Sequence, residues 1–260
     1  MSTVHADPAI LSAIRERGFS VVPDLLDRET VDTMKEALER AALEDLAAWE
    51  GRDYPDAWMV HNLMVRHPVF AEFLENPVLH AHLSPLLGDT CILYAYTSSS
   101  MPPSGSNFSH RVHVDSPRMI PGYWTNVGVM AALDDYTEEN GATRFLPHSF
   151  ERVEPPSVEE FMAESEQTLP RAGDAVIFNA RTWHMGGANR TDTPRHAITL
   201  NVCRSYMRQR FDYPRLVGAE TLDHIGDVGR RFLGFNVRMP ATLDEYYLPE
   251  EERLYKAGQG

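Results

Sequence analysis

The stretch Gly173-Asp-Ala-Val-Ile-Phe-Asn-Ala-Arg-Thr-Trp-His184-Met-Gly-Gly-Ala-Asn189 decides the fold. A Gly-Asp turn launches a short apolar run, and a histidine follows near its end beside two glycines. A run of this length bounded by turn residues reads as a buried strand. Cys91 to Thr97, Arg111 to Asp115, Val127 to Leu133, Thr143 to Leu146 and Ala197 to Cys203 continue the pattern, with Gly, Pro and Asp turns between them. Many short strands at this spacing predict an all-β barrel or sandwich.

Upstream the texture is helical. Ala9 to Arg17 forms a helix ended by Gly18, Phe19 to Val22 a brief strand, and Asp27 an N-cap with Glu29 in the first turn. Val31, Met34, Leu38, Ala41, Ala42 and Trp49 then recur at near-helical spacing, an apolar stripe that needs a sheet or helix to cover it. Shorter helices are expected over His67 to Leu74, Val78 to Leu87 and Asp223 to Phe232. Without repeats or a linker, residues 1–260 read as a single domain: 1–90 mainly helical support, 91–212 the barrel core, 213–260 a C-terminal extension.

The net charge of −14 and the lack of a Lys/Arg cluster argue against nucleic acid as a partner. No apolar run approaches a membrane span, and the first residues lack the pattern of a signal peptide, so no membrane partner and a cytoplasmic location are expected. Cys91 and Cys203 stand in apolar strands and read as buried free thiols.

His113 and Asp115 occupy positions i and i+2 of an expected strand, so both side chains project to one face. With His184 they offer two imidazoles and one carboxylate, a set that leaves one face of a metal ion open. The pair alone is weak: a chain with this many His and Asp yields roughly one His-x-Asp by chance, and His5-Ala-Asp7 has the same spacing in a terminal segment. Arg195, eleven residues after His184, opens an apolar strand, where its charge calls for a protein carboxylate or a bound dicarboxylate.

In order and spacing these pieces resemble the phytanoyl-CoA dioxygenase (PhyH-like) family of Fe(II)/2-oxoglutarate-dependent oxygenases. The resemblance spans nearly the whole chain. It includes Glu16-Arg-Gly-Phe-Ser-Val-Val-Pro-Asp-Leu-Leu, His113-Val-Asp115, Leu133-Asp-Asp, Glu139-Asn-Gly-Ala-Thr-Arg-Phe-Leu-Pro, Gly173 to Arg195 and Phe232-Leu-Gly-Phe. The chain departs from the family at Pro147-His-Ser-Phe150, which makes His148 a turn residue or a residue supporting the site from behind rather than a ligand, and at Met185-Gly186, where many relatives carry a hydroxyl.

The resemblance implies a mainly β fold, a double-stranded β-helix (jelly-roll, cupin-like) barrel with flanking helices. It implies that His113, Asp115 and His184 bind Fe(II), and that 2-oxoglutarate is held by Arg195 with Thr143 and Asn126 as helpers. O2 is the other cosubstrate. The expected reaction oxidises, by default hydroxylates, an unactivated C–H bond of a small molecule of natural-product or amino-acid type, releasing succinate and CO2. Asp115 fills the position that halogenating relatives leave open for chloride. Arg118, Tyr123, Trp124, Trp183, Arg204 and Phe211 are expected at the substrate mouth, with Ser98 to Phe108 as a lid, in a monomer or homodimer. The competing readings are a Zn or Mn cupin-type hydrolase or isomerase, and a non-catalytic small-molecule binding barrel.

Overall fold

The protein is described here by a computed structural model covering residues 4–50 and 58–259. Helix α1 (Pro8–Arg17) is capped by the Asp7 carboxylate, which accepts from the Ala9 amide at 2.8 Å, and is ended by Gly18 at φ +94°. The Asp7 of His5-Ala-Asp7 thus has a structural role. Strand β1 (Phe19–Val22) follows, then α2 (Arg28–Ala48), whose Asp27 cap accepts from the Thr30 amide at 2.8 Å. That bond holds the exposed Asp27 carboxyl below its ordinary pKa. Helices α3 (Pro68–Glu72) and α4 (Pro77–Leu87) each begin on proline, and Asn76 caps the second through two amides.

The strands are β2 (Ile92–Ser98), β3 (Asn126–Ala132), β4 (Arg144–Phe145), β5 (Glu166–Gln167), β6 (Ala175–Asn179), β7 (His184–Met185) and β8 (Ala197–Cys203). Helix α5 (Val158–Glu164) precedes β5, and α6 (Tyr213–Leu216), α7 (Ala219–Leu222), α8 (Asp227–Phe232) and α9 (Leu243–Tyr246) follow β8. A five-stranded antiparallel sheet runs β1-β6-β3-β8-β2, and a three-stranded one runs β5-β4-β7.

Side-chain alternation explains how these pieces stack. Val127, Val129 and Ala131 of β3, Ile177 of β6, and Ile198, Leu200 and Val202 of β8 turn outward to meet Val31, Met34 and Leu38 of α2 and the α3–α4 side chains in one apolar core. The opposite face carries Met130, Val176 and Phe178, which pack on Phe145 of the smaller sheet. Apolar side chains on both faces make β6 a near-continuous apolar run, whereas β8 alternates, with Thr199 and Asn201 on its inner face. Two facing sheets with helices outside the larger one form the double-stranded β-helix architecture expected from the sequence. Gly128 is needed for that closeness: it pairs across the sheet with Phe178, and a Cβ there would lie 2.1 Å from the Phe178 ring.

Several boundaries differ from expectation. Arg111 to Asp115 is not a regular strand; His113 alone makes a bridge, with His184, through two 2.9 Å main-chain bonds. Strands β5 and β7 and helix α5 are additional. Loop 98–108 is anchored to the barrel, Met101 bridging Arg195 and Gly105 bridging Asn189, which leaves exposed Phe108 at its end. Cys91 and Cys203 are buried and free, and burial pushes the Cys203 thiol up to about 12. Among the described residues no helix is long and apolar enough to cross a membrane.

Candidate metal centre

After β6 the chain turns at Asn179, whose carbonyl and side chain accept from the amides of Thr182 (2.8 Å) and Arg181 (2.9 Å). The Arg181 side chain anchors the turn by donating to the carbonyls of Pro117 (3.1 Å) and Arg152 (2.6 Å). His184 follows in β7. The opposing segment is held by the His113–His184 bridge and by the Asp115 amide on the Ala180 carbonyl at 2.9 Å. Main-chain bonds, not side-chain packing, therefore set where the three side chains start.

Each imidazole is oriented by a backbone acceptor. His113 Nδ1 lies 2.8 Å from the Arg111 carbonyl and His184 Nδ1 2.9 Å from the Thr182 carbonyl, which fixes the proton on Nδ1 and frees Nε2 as a ligand. Both Nε2 atoms point at one Asp115 oxygen, at 3.6 Å from His113 and 3.8 Å from His184. All three ligand atoms lie within 4.8 Å of one another. Ligands on a single ion with bonds of about 2.1 Å stand roughly 3.0–3.5 Å apart, so small side-chain rotations close the set. Burial, reinforced by the neighbouring His184, pushes His113 down to about 4, so it is the neutral, ligating form at pH 7. His184 is wedged between Phe145 (ring centroids 5.4 Å apart) and Phe178 (5.0 Å).

The triad borders a cavity of about 470 Å³, within the size range of small-molecule sites. Met130, Phe145 and Phe178 form its apolar wall, and Thr97, Thr143, Thr199 and Asn201 supply hydroxyls and an amide. Thr143, expected as a helper to 2-oxoglutarate, is one of the lining residues. Asn126 does not line the cavity but donates to Asn201 at 2.8 Å and so orients a residue that does.

Arg195 is 1% exposed and, among the described residues, pairs with no carboxylate. Nη1 donates to the Ser99 carbonyl (3.1 Å) and the Tyr136 hydroxyl (2.5 Å), and Nη2 to the Gly141 carbonyl (3.0 Å). Nε has no partner. Three of the five N–H donors of a guanidinium are thus used, and the two that remain are on Nε and Nη2. Arg195 meets the cavity wall through Ser99 rather than forming lining surface itself. The protein ion pair considered for it does not form; what is left is a buried cation with donors for a carboxylate.

None of the six expected substrate residues lines this cavity. Arg118, Tyr123 and Trp124 border a separate crevice of about 20 Å³ beside Arg181. Arg204 stacks on Tyr123 at 4.2 Å and donates to the carbonyls of Trp124 and Leu87. Trp183 is buried with Leu146 and Phe161. Phe211 stands behind His61, ring centroids 6.4 Å apart, and it is His61 that lines the cavity. After Ser116 the chain leaves the triad, so Arg118, Tyr123 and Trp124 do not reach the cavity although they follow Asp115 closely in sequence. His148, at φ +59°, bonds the Glu16 carbonyl as a turn residue.

Thr199 and Asn201 were not anticipated, although a signal existed: they are the alternate polar positions of Ala197-Ile-Thr-Leu-Asn-Val-Cys203. Thr97 and Ser99 follow the same rule off β2. Tyr136 and His61, brought in from distant loops, carried no such signal.

Comparison with known proteins agrees with this geometry. The family model of the phytanoyl-CoA dioxygenases (PhyH) matches residues 14–197, a span containing His113, Asp115, His184 and Arg195. The chain is 30% identical over 251 residues to the uncharacterized protein Rv1501 of Mycobacterium tuberculosis, covering 94% of this chain and 92% of that one. It is 27% identical over 212 residues to the dioxygenase sphC of Aspergillus fumigatus, covering 77% and 57%. In fold it is similar to EctD from S. alaskensis, a structure containing 2-oxoglutarate and 5-hydroxyectoine, with a TM-score of 0.65 at 16% identity over 78% of each chain.

Proposed function

Since the chain belongs to the phytanoyl-CoA dioxygenase family, we propose that it is a non-haem iron dioxygenase in which His113, Asp115 and His184 hold Fe(II) and Arg195 takes the far carboxylate of 2-oxoglutarate. The observation that carries this reading is the convergence of two Nδ1-locked imidazoles and one carboxylate, in a barrel that also holds a buried arginine without a carboxylate partner among the described residues. The donor set suits a divalent iron with open coordination positions.

When bound, iron and 2-oxoglutarate supply O2-dependent oxidative decarboxylation, releasing succinate and CO2 and oxidising a C–H bond. The chain's own residues prepare that step. The Arg111 and Thr182 carbonyls keep each imidazole in its ligating tautomer. Phe145 and Phe178 hold the His184 ring and exclude water from its flank. Arg195 fixes one end of the cosubstrate, and Thr143, on the cavity wall, supports it. Thr199 and Asn201 face the remaining space and orient a small-molecule substrate, with hydroxylation as the default outcome and Asp115 occupying the position a halide would need. Residues 1–260 act as one catalytic domain, as a monomer or homodimer in the cytoplasm.

The test is an anaerobic titration of the protein with Fe(II) and 2-oxoglutarate. A visible charge-transfer band requiring both, and succinate formation once air and substrate candidates are admitted, are expected. Metal binding without any 2-oxoglutarate response would favour a Zn or Mn hydrolase or isomerase instead.

A further inference from the structure

The cavity's charge is opposite to that of the chain. Against a net charge of −14, the lining includes Arg111 and Arg210, while its one carboxylate among the described residues, Asp115, belongs to the triad. Both arginines are exposed at the open side, and among the described residues neither side chain has a hydrogen bond or ion pair. Arg111 stands two residues before His113, near enough for its charge to act on that imidazole. Arg210 comes from the far side, tied by its amide to the carbonyl of Tyr94, another wall residue. Exposed arginines elsewhere on the chain either pair with an acid, as Arg28 does with Asp32, or, among the described residues, stand singly without a hydrogen bond or ion pair, as Arg40 and Arg208 do. What sets Arg111 and Arg210 apart is that both unpaired guanidiniums line the same cavity.

Resting on the iron and 2-oxoglutarate reading above, we infer that the substrate is a small organic anion whose carboxylate or phosphate is gripped at the cavity mouth by Arg111 and Arg210. The guanidinium fork matches either oxyanion group bidentately. Anchoring the anion at the mouth sets the opposite end of the substrate towards the triad, so the oxidised carbon is remote from the acid group. The cavity also accommodates the cosubstrate, which restricts the substrate to a compact skeleton. The acidic exterior repels anions at long range, so selection falls on this rim.

The protein, loaded anaerobically with Fe(II) and saturating 2-oxoglutarate, is titrated by saturation-transfer NMR with two matched series. One comprises 3-phenylpropionate, 2-phenylethyl phosphate, 3-phenylpropanamide and 3-phenylpropylamine; the other comprises octanoate, heptyl phosphate, octanamide and octylamine. We expect an anion to bind at least about tenfold more tightly than the amide of its skeleton, as the loss of one charge-assisted contact implies. Carboxylate against phosphate identifies the head group. In Arg111→Gln and Arg210→Gln that advantage shrinks to below about threefold, and in Arg210→Gln, which touches no ligand, the charge-transfer band is unchanged. Amides or amines binding as well as anions, anion preference surviving in both variants, or no compound binding would each overturn the inference. Absence of the band in the wild type would instead refute the underlying assignment of iron and cosubstrate.

Discussion

Replacing Arg195 by leucine removes the charge that the account assigns to 2-oxoglutarate while touching no triad residue. The two unused donors, on Nε and Nη2, allow a carboxylate two charge-assisted hydrogen bonds. Such bonds contribute about 1.5–3 kcal/mol each, and taking the lower value for both gives about 3 kcal/mol. That corresponds to roughly 150-fold weaker 2-oxoglutarate binding. Arg195→Lys keeps a point charge without the fork and should recover part of this, to roughly tenfold weaker than wild type. Both are read from the 2-oxoglutarate dependence of the charge-transfer band, with Fe(II) affinity from equilibrium dialysis as the control. Iron affinity should stay within about threefold, since Arg195 bonds Ser99, Tyr136 and Gly141 and none of the ligands. Unchanged 2-oxoglutarate affinity in Arg195→Leu, with iron still bound, would refute the assignment.

His184→Ala should weaken Fe(II) binding by more than about 100-fold in the same dialysis assay, a larger loss than removing an outer-sphere partner causes; iron affinity near wild type would place the metal elsewhere. Gly128→Ala should lower stability by about 1–3 kcal/mol in urea melts and also weaken iron binding, because the added Cβ displaces Phe178, which packs on His184. A destabilised variant with intact iron affinity would show that Phe178 does not position the ligand. In the metal-free protein, His113 titrates near 4 when folded and near its ordinary 6.5 when unfolded. The unfolded chain therefore binds the extra proton between these values. Stability should be constant above pH 6.5 and fall by up to about 3 kcal/mol as the pH drops to 4. His113→Asn should flatten that slope, and an equal slope in both proteins would contradict the assignment.

The parts of this protein legible in its sequence are those set by local chemistry. Asp27, Gly18 and Gly88 end or begin helices through their own side chains or backbone freedom, and the limits of β6 and β8 follow their apolar runs. The triad was legible because ligand chemistry restricts residue type. His113 and Asp115 share a face although their segment forms only an isolated bridge, since extended backbone preserves the i, i+2 parity. The substrate wall was not legible. Nearness in sequence to Asp115 suggested Arg118 to Trp124, but the turn after Ser116, bonded to Ala180, carries them off to another crevice. His61 and Arg210 arrive through long-range pairing with Thr97 and Tyr94, which no local pattern encodes.

The most direct test of the central claim is a crystal structure of the protein grown anaerobically with Fe(II) and 2-oxoglutarate, with anomalous data collected at the iron edge. One anomalous peak is expected within bonding distance of His113 Nε2, Asp115 Oδ1 and His184 Nε2, with the far carboxylate of 2-oxoglutarate on Arg195. A peak at other residues, or an iron-bound triad with the cosubstrate carboxylate away from Arg195, would contradict the account.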